Sequence, residues 1–174
     1  MPSGKTHDRI TLWGLPLVLT AAFYLTLDIT LTVIVCISFL VGGFMMGPDL
    51  DIHSVQYRRW GPLRWIWLPY QKTIKHRSQL SHGPVIGTVL RVLYLGLWIA
   101  LFGLVAIELL TLLGAVQLTW ADLRSTVQVS AMTYFSEWMA PIVGLELGAL
   151  SHYVSDHIGS QLKKQRRKRQ RRRK

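Results

Sequence analysis

Apolar residues along this chain fall in long blocks separated by polar stretches. Residues 1–11 are polar, and from Leu12 to Met46 the chain is apolar apart from Asp28 and its neighbouring threonines. A bilayer core takes about 20 helical residues, so this block is too long for one span. It reads as two helices, Leu12–Leu27 and Ile29–Met46, folded into a hairpin with Asp28 as turn or cap residue. Pro16 would then sit in the first turns of its helix, where proline is tolerated. Residues 47–84 are polar and aromatic. Val85 to Val116 is apolar again, interrupted by Arg91 and Glu108. A polar loop over 117–126 precedes a weaker apolar segment, Val127 to Leu150, with Glu137, Glu146 and a kink expected at Pro141. The pattern predicts an all-α fold, an integral membrane helical bundle of about four spans arranged as two hairpins.

Charge sharpens this picture. The net charge of the 174 residues is +11, but the segment 163–174 carries ten Lys and Arg and no acid. Removing those ten charges leaves +1, so the basic character belongs to a tail whose like charges favour disorder. The organisation expected is one helical membrane domain over 1–162 and a basic tail over 163–174. Two hairpins place residues 1–11, 47–84 and the C-terminus on one side of the membrane. That side holds Lys5, Arg9, Arg58, Arg59, Arg64, Lys72, Lys75, Arg77 and the tail, whereas the other holds Arg124. The positive-inside rule makes the first side cytoplasmic. The tail is then expected to meet anionic lipid headgroups. Lys5 and Arg9 ahead of an apolar run also suit a signal peptide, but the run extends past a signal core, so retention is expected. The mean hydropathy of +0.28 agrees with a membrane protein. The single cysteine, Cys36, excludes an internal disulfide and reads as a packing residue.

The connection contains YRRWGPLRWIWLPY, in which Trp60, Trp65, Trp67 and Tyr70 interleave with Arg58, Arg59 and Arg64. Such rings and cations suit the headgroup layer. They would also suit stacking on single-stranded nucleic acid. Between two membrane segments the interface is the better reading, and no specific nucleic acid is expected.

The six histidines, His7, His53, His76, His82, His152 and His157, all fall on the predicted cytoplasmic side and outside the apolar blocks. Asp8, Asp49, Asp51 and Asp156 lie close to them in sequence. His152 and Asp156 are spaced i,i+4, so one helix face could present both to one ion. His157 is one step round. Asp49, Asp51 and His53 alternate, so an extended segment would aim all three together. Gly47 and Pro48 favour a non-helical start there. His76 and His82 fit a loop closed by Gly83 and Pro84, with Arg77 placed to hold an anionic oxygen. Membrane-proximal loops collect polar residues in any case, so one such histidine means little. Four clusters on one face point to a divalent metal site of one or two ions, zinc first, with manganese or iron(II) as alternatives.

The segments THDRIT (6–11), GPDLDIHS (47–54), HRSQLSHGP (76–84) and LSHYVSDH (150–157) together resemble a family of metal-binding membrane proteins of undefined activity common in cyanobacteria. They are similar, more distantly, to the YdjM-like inner-membrane metal-dependent hydrolases. His152-x-x-x-Asp156 also resembles the all-α zinc-dependent phospholipase C and nuclease group, although no processed N-terminal tryptophan is present. The resemblance implies metal-assisted hydrolysis. The leading expectation is therefore a hydrolase of phosphoesters at the cytoplasmic membrane face. His7, Asp49, Asp51, His76, His82, His152 and Asp156 would be metal ligands. Asp51, Arg77 and His82 would carry catalysis, and Asp8, His53 and His157 would serve as outer partners or proton carriers. The alternatives are a non-catalytic metal-binding or assembly protein, and an ion transporter using Asp28, Arg91, Glu108, Glu137 and Glu146.

Overall fold

The computed structural model describes residues 4–115, 117 and 119–171. No strand occurs among them, so the all-α expectation holds. Helix α1 runs Gly4–Thr26 and α2 runs Ile29–Phe44. Asp28 divides them as an N-cap: its backbone is extended and Oδ1 accepts the Leu31 N–H at 3.0 Å. Helix α1 starts eight residues earlier than its apolar pattern, so Pro16 lies in its interior instead of its first turns. The reason is tertiary. The polar first turns are tied down by a two-bonded pair between Asp8 and Arg59, 2.9 and 2.6 Å, and by Thr11 packing on Gly43.

The connection folds through a 3₁₀ turn, Pro48–Asp51, a short α3, Val55–Arg58, a 3₁₀ segment, Gly61–Trp67, and then α4, Leu68–Thr73, and α5, Gln79–His82. Helix α6 spans Ile86–Leu112, α7 spans Trp120–Thr133, and α8 spans Phe135–Arg171. Among the described residues two helices are long and apolar enough to cross a membrane, Thr6–Thr26 of α1 and all of α6. Their flanks leave Trp13, Leu17, Leu25, Leu93 and Leu97 exposed. Helix α2 is apolar but has only 16 residues, about 24 Å against a core of about 30 Å. The expected fourth span, Val127–Leu150, is not one helix. Thr119 and Asp122 form a capping box that starts α7 inside the expected loop, and Tyr134 ends it. Helix α8 passes through Pro141 and continues to Arg171, taking a helical backbone into the segment read as a disordered tail. Residues 172–174 of that tail lie outside the described residues.

Helices α2 and α8 run parallel in close contact. A Cβ on Gly144 would lie 2.4 Å from the Val35 carbonyl oxygen, one on Gly148 2.4 Å from that of Phe39, and one on Gly42 2.5 Å from that of Leu145. Gly144 and Gly148 are the two small residues of a G-x-x-x-G pair, which lets helix backbones touch. Helix α1 packs antiparallel against both, with Thr11 Oγ1 3.4 Å from Ser151 Oγ. One end of this three-helix group therefore gathers the start of α1, the end of α2 and the middle of α8.

The connection caps that end. Met46, Leu50, Tyr57, Ile66, Trp67 and Tyr70 form its core, with Tyr94 of α6 packed beside it. Trp67 and Tyr70 are thus buried, against their expected place in the headgroup layer. Trp65 and Leu63 remain exposed. Arg59 also donates to the Phe44 carbonyl at 3.0 Å, and Trp60 Nε1 donates to that of Met45 at 3.1 Å, so the connection closes the C-terminus of α2. Trp67 is fully buried. Trp67→Ala is expected to lower stability by about 3–5 kcal/mol, read as a fall in the unfolding midpoint in detergent.

Candidate metal centre

The 3₁₀ turn Pro48–Asp51 explains how two aspartates reach different partners. Gly47 enters it extended, and Gln56 Nε2, donating to the Gly43 carbonyl at 2.9 Å, packs against Gly47 where a Cβ would clash. A 3₁₀ helix has three residues per turn, so Asp49 and Asp51 diverge by about 120°. The alternating segment expected from sequence is therefore corrected. Asp49 faces α8, Asp51 faces α5, and His53 is exposed with its ring edge-on to Tyr57.

The first group joins α1, α8 and the turn. His7, His152 and Asp156 bring ligand atoms within 4.8 Å of one another. His7 Nε2 lies 3.4 Å from Asp156 Oδ1, and His152 Nε2 lies 3.8 Å from Asp156 Oδ2 and 3.4 Å from Asp49 Oδ2. The i,i+4 spacing of His152 and Asp156 places them together as the sequence predicts. The second group joins Asp51, His76 and His82. His76 Nδ1 lies 2.9 and 3.0 Å from the two Asp51 oxygens, and Ser81 Oγ donates to Asp51. Asp49 links the groups, because its Oδ1 faces His82 Nε2 at 3.7 Å.

These distances separate two roles. Contacts of 2.9–3.0 Å are hydrogen bonds. Contacts of 3.4–3.8 Å are too long for that, yet close to the edge of a ligand tetrahedron, about 3.3–3.6 Å for bonds of about 2.0–2.2 Å. Four atoms in such pairs, Asp49 Oδ1, His82 Nε2, His152 Nε2 and Asp156 Oδ1, are buried without a hydrogen-bond partner among the described residues. Buried polar atoms left in that state are costly. Divalent cations held at these pairs would satisfy all four, so the residues present fit a metal. Asp51 differs: its carboxylate accepts from His76 and Ser81, which suits a group that orients ligands.

Two serines fix which histidine nitrogen is free. Ser155 Oγ has one proton and gives it to the His152 carbonyl at 2.8 Å. It must therefore accept from His7 Nδ1–H, 2.5 Å away, leaving the Nε2 lone pair of His7 directed at Asp156. Ser81 gives its proton to Asp51, so it accepts from His82 Nδ1–H at 2.6 Å, and the Nε2 lone pair of His82 turns to Asp49. The sequence reading missed both serines. A serine three residues after His152, or immediately before His82, is too common a pattern to signal this role. It also treated Arg91 as a break in an apolar helix. Arg91 is fully buried and donates to the Ser81 carbonyl at 2.8 Å and to Thr88 Oγ1 at 3.0 Å, holding the serine that holds His82. Glu146, considered as a transport carboxylate, accepts the Val85 N–H at 3.0 Å before the start of α6.

The remaining expected residues lie apart. Asp8 is committed to Arg59. His157 is exposed, and Arg77 is exposed beside His76 in a left-handed backbone, φ 62°. A cavity of about 130 Å³ opens beside the first group, lined by His7, Asp49, His152 and Asp156 and by Asp8 and Arg59 at its rim.

Burial works to raise the Asp49 carboxyl, but the neighbouring His152 and His82 imidazoles prevail and hold it well below the usual carboxylate range. Asp49 therefore stays ionised through mild acid, and the imidazoles set the lower pH limit for metal. Metal is expected to leave in acid, at a pH below the ordinary histidine value because burial and then the neighbouring His152 lower the His7 pKa, as protonation removes its Nε2 lone pair. Retention of metal after dialysis at pH 5 would contradict this. Ser155→Ala is expected to weaken metal binding about 10–100-fold by freeing the His7 tautomer, measured by chelator competition.

Comparison with known proteins agrees with the metal reading. A protein of Aquifex aeolicus, described only as an uncharacterized protein, is 38% identical over 60 residues, 34% of this chain and 42% of the relative, so the match covers well under half of either protein. No solved structure matches the chain. The family described as uncharacterized metal-binding protein (DUF2227) matches residues 2–166, nearly the whole chain, and the protein belongs to that metal-binding family.

Proposed function

We propose that the protein is a membrane-bound, metal-dependent hydrolase of phosphoesters acting at the cytoplasmic membrane face. One observation carries the reading: the two oxygens of Asp49 face histidine Nε2 atoms of two separate ligand groups, 3.4 Å from His152 and 3.7 Å from His82. A carboxylate shared between two groups is how two-metal hydrolytic sites are built. Ions held there supply Lewis acidity and an acidified water at neutral pH. His7, His152, Asp156 and Asp49 would hold one ion, and His82 with Asp49 the other. The nitrogen and carboxylate donors suit zinc first, then manganese or iron(II). Asp51 keeps His76 and, through Ser81, His82 in orientation. Arg59, in its pair with Asp8, lines the cavity beside the first group, and Arg77 lies at the surface next to His76, so cationic side chains flank the site.

The membrane part of the reading is supported by the two membrane-length helices and their exposed apolar flanks. Arg58, Arg59, Arg64, Lys72, Lys75 and Arg77 belong to the connection that caps the metal end, which favours that end as cytoplasmic. The basic segment at the C-terminus would meet anionic headgroups. The test is turnover by the detergent-purified full chain, loaded with zinc or manganese, on bis(p-nitrophenyl) phosphate and on a phospholipid. Metal-dependent release of product, removed by chelator, is expected. A fully loaded, folded protein that turns over neither substrate would leave metal binding and defeat the hydrolase reading.

A further inference from the structure

The ligand groups differ in how many donors they hold at ligand spacing rather than in hydrogen bonds. The first has four donors from three elements: His7 of α1, His152 and Asp156 of α8, and Asp49 Oδ2 of the turn. His7 and His152 are buried. A site filled by four protein ligands is closed and stabilises structure, whereas a site with fewer keeps positions for exogenous oxygen. The second group, Asp51, His76 and His82, is joined by Asp49, and its one pair among the described residues at ligand spacing with both atoms free of hydrogen bonds is Asp49 Oδ1 and His82 Nε2. Asp51, fully buried, is committed to His76 and Ser81 at hydrogen-bond length. With Nδ1 of His76 held by Asp51, only Nε2 of that ring is free to add a ligand.

We infer that the chain holds two unlike divalent ions bridged by Asp49. The ion of the first group is a closed, tightly held structural ion that fastens the start of α1 to α8. The ion at His82 is an open, exchangeable one, and it is the ion that takes an anionic oxygen ligand such as phosphate. This inference uses the same ligand groups as the proposed hydrolase, but does not require turnover.

Asymmetry follows from connectivity. Removing the first ion leaves Asp156 and Asp49 facing each other across the His7–His152 pair, whose rings stack at 3.8 Å, at the contact of three helices. Removing the second leaves His82 still hydrogen-bonded to Ser81, with Ser81 still held by Arg91 and Asp51. The first ion should therefore govern stability and the second should not.

Cobalt(II) titration of the metal-free full chain in detergent reports both coordination number and order. Four-coordinate cobalt absorbs strongly in the visible, and cobalt with more, weaker ligands absorbs faintly. The first equivalent is expected to give the strong band and to raise the unfolding midpoint. The second is expected to bind at least about tenfold more weakly, on the scale by which even an outer partner tunes a metal site, with a faint band that shifts on adding inorganic phosphate. His82→Ala should delete the second step and leave the first; His7→Ala should delete the strong band. If either variant loses helical circular dichroism, stepwise chelation of the loaded wild type decides instead. The first ion removed should leave the strong band and the midpoint unchanged, and the last should remove both. Saturation at one equivalent, two equivalents of equal affinity and spectrum, or a phosphate shift in the strong band would overturn the assignment. This pattern without turnover would defeat only the hydrolase reading; turnover with equal sites would defeat only this one.

Discussion

Asp49→Ala is expected to lower metal affinity by more than about 100-fold and to abolish the proposed hydrolysis, the largest effect of any single replacement at this site. Its oxygens are the contacts at ligand spacing that belong to both groups, with His152 at 3.4 Å and His82 at 3.7 Å. Asp51 is engaged by His76 and Ser81 and belongs to the second group alone. The alanine variant should keep its helical circular dichroism, since Asp49 is partly exposed and packs no core. Asp51→Ala should act differently. It removes an orienting group and leaves His76 and Ser81 without their acceptor, so partial metal loss is expected instead of complete loss. Equal metal content in Asp49→Ala and the wild type would refute the bridging role.

Gly148→Ala is expected to destabilise the protein by about 3 kcal/mol, the upper end for overpacking, and to release metal although residue 148 touches no ligand. A Cβ at 148 meets the Phe39 carbonyl oxygen at 2.4 Å and the Gly43 N at 2.6 Å, both backbone atoms that no rotamer change can move. Helix α8 must therefore shift from α2. His152 lies one turn further along α8, while Asp49 hangs from the end of α2, so the shift opens their 3.4 Å contact. An unfolding midpoint and metal content both equal to wild type would show that the two helices do not meet here. Gly96→Ala is the control, because nothing lies within 4 Å of a Cβ there.

The parts of this architecture written in local spacing were legible from sequence. The His152–Asp156 pair needs only helical periodicity. Asp28 dividing two apolar runs needs only an N-cap. The single metal-bearing end followed from locating all six histidines outside the apolar blocks. What depended on tertiary packing was not legible. The 3₁₀ geometry at 48–51 sends Asp49 and Asp51 to different groups, and alternation along the chain suggested the reverse. Asp8 reads as a histidine neighbour, yet Arg59, far away in sequence, takes it. Trp67 and Tyr70 read as interfacial because hydropathy alone does not show a small core folding within a polar connection. The fourth span failed because Thr119 and Asp122 start a helix inside the polar stretch and Tyr134 stops it, signals that a hydropathy average does not register. The G-x-x-x-G pair at 144 and 148 was present in the sequence. Its consequence, a parallel α2–α8 contact that aligns His152 with Asp49, required the partner helix.

Clusters far apart in sequence would close on shared ions through Asp49. Elemental mass spectrometry of the detergent-purified full chain tests it most directly, with wild type, His7→Ala and Asp49→Ala measured side by side after equilibration with zinc. Two ions per chain are expected in the wild type, one in His7→Ala and none retained in Asp49→Ala, all with wild-type helical content. Wild-type protein that is folded yet holds no metal above background, or an Asp49→Ala variant that keeps its full complement, would contradict it.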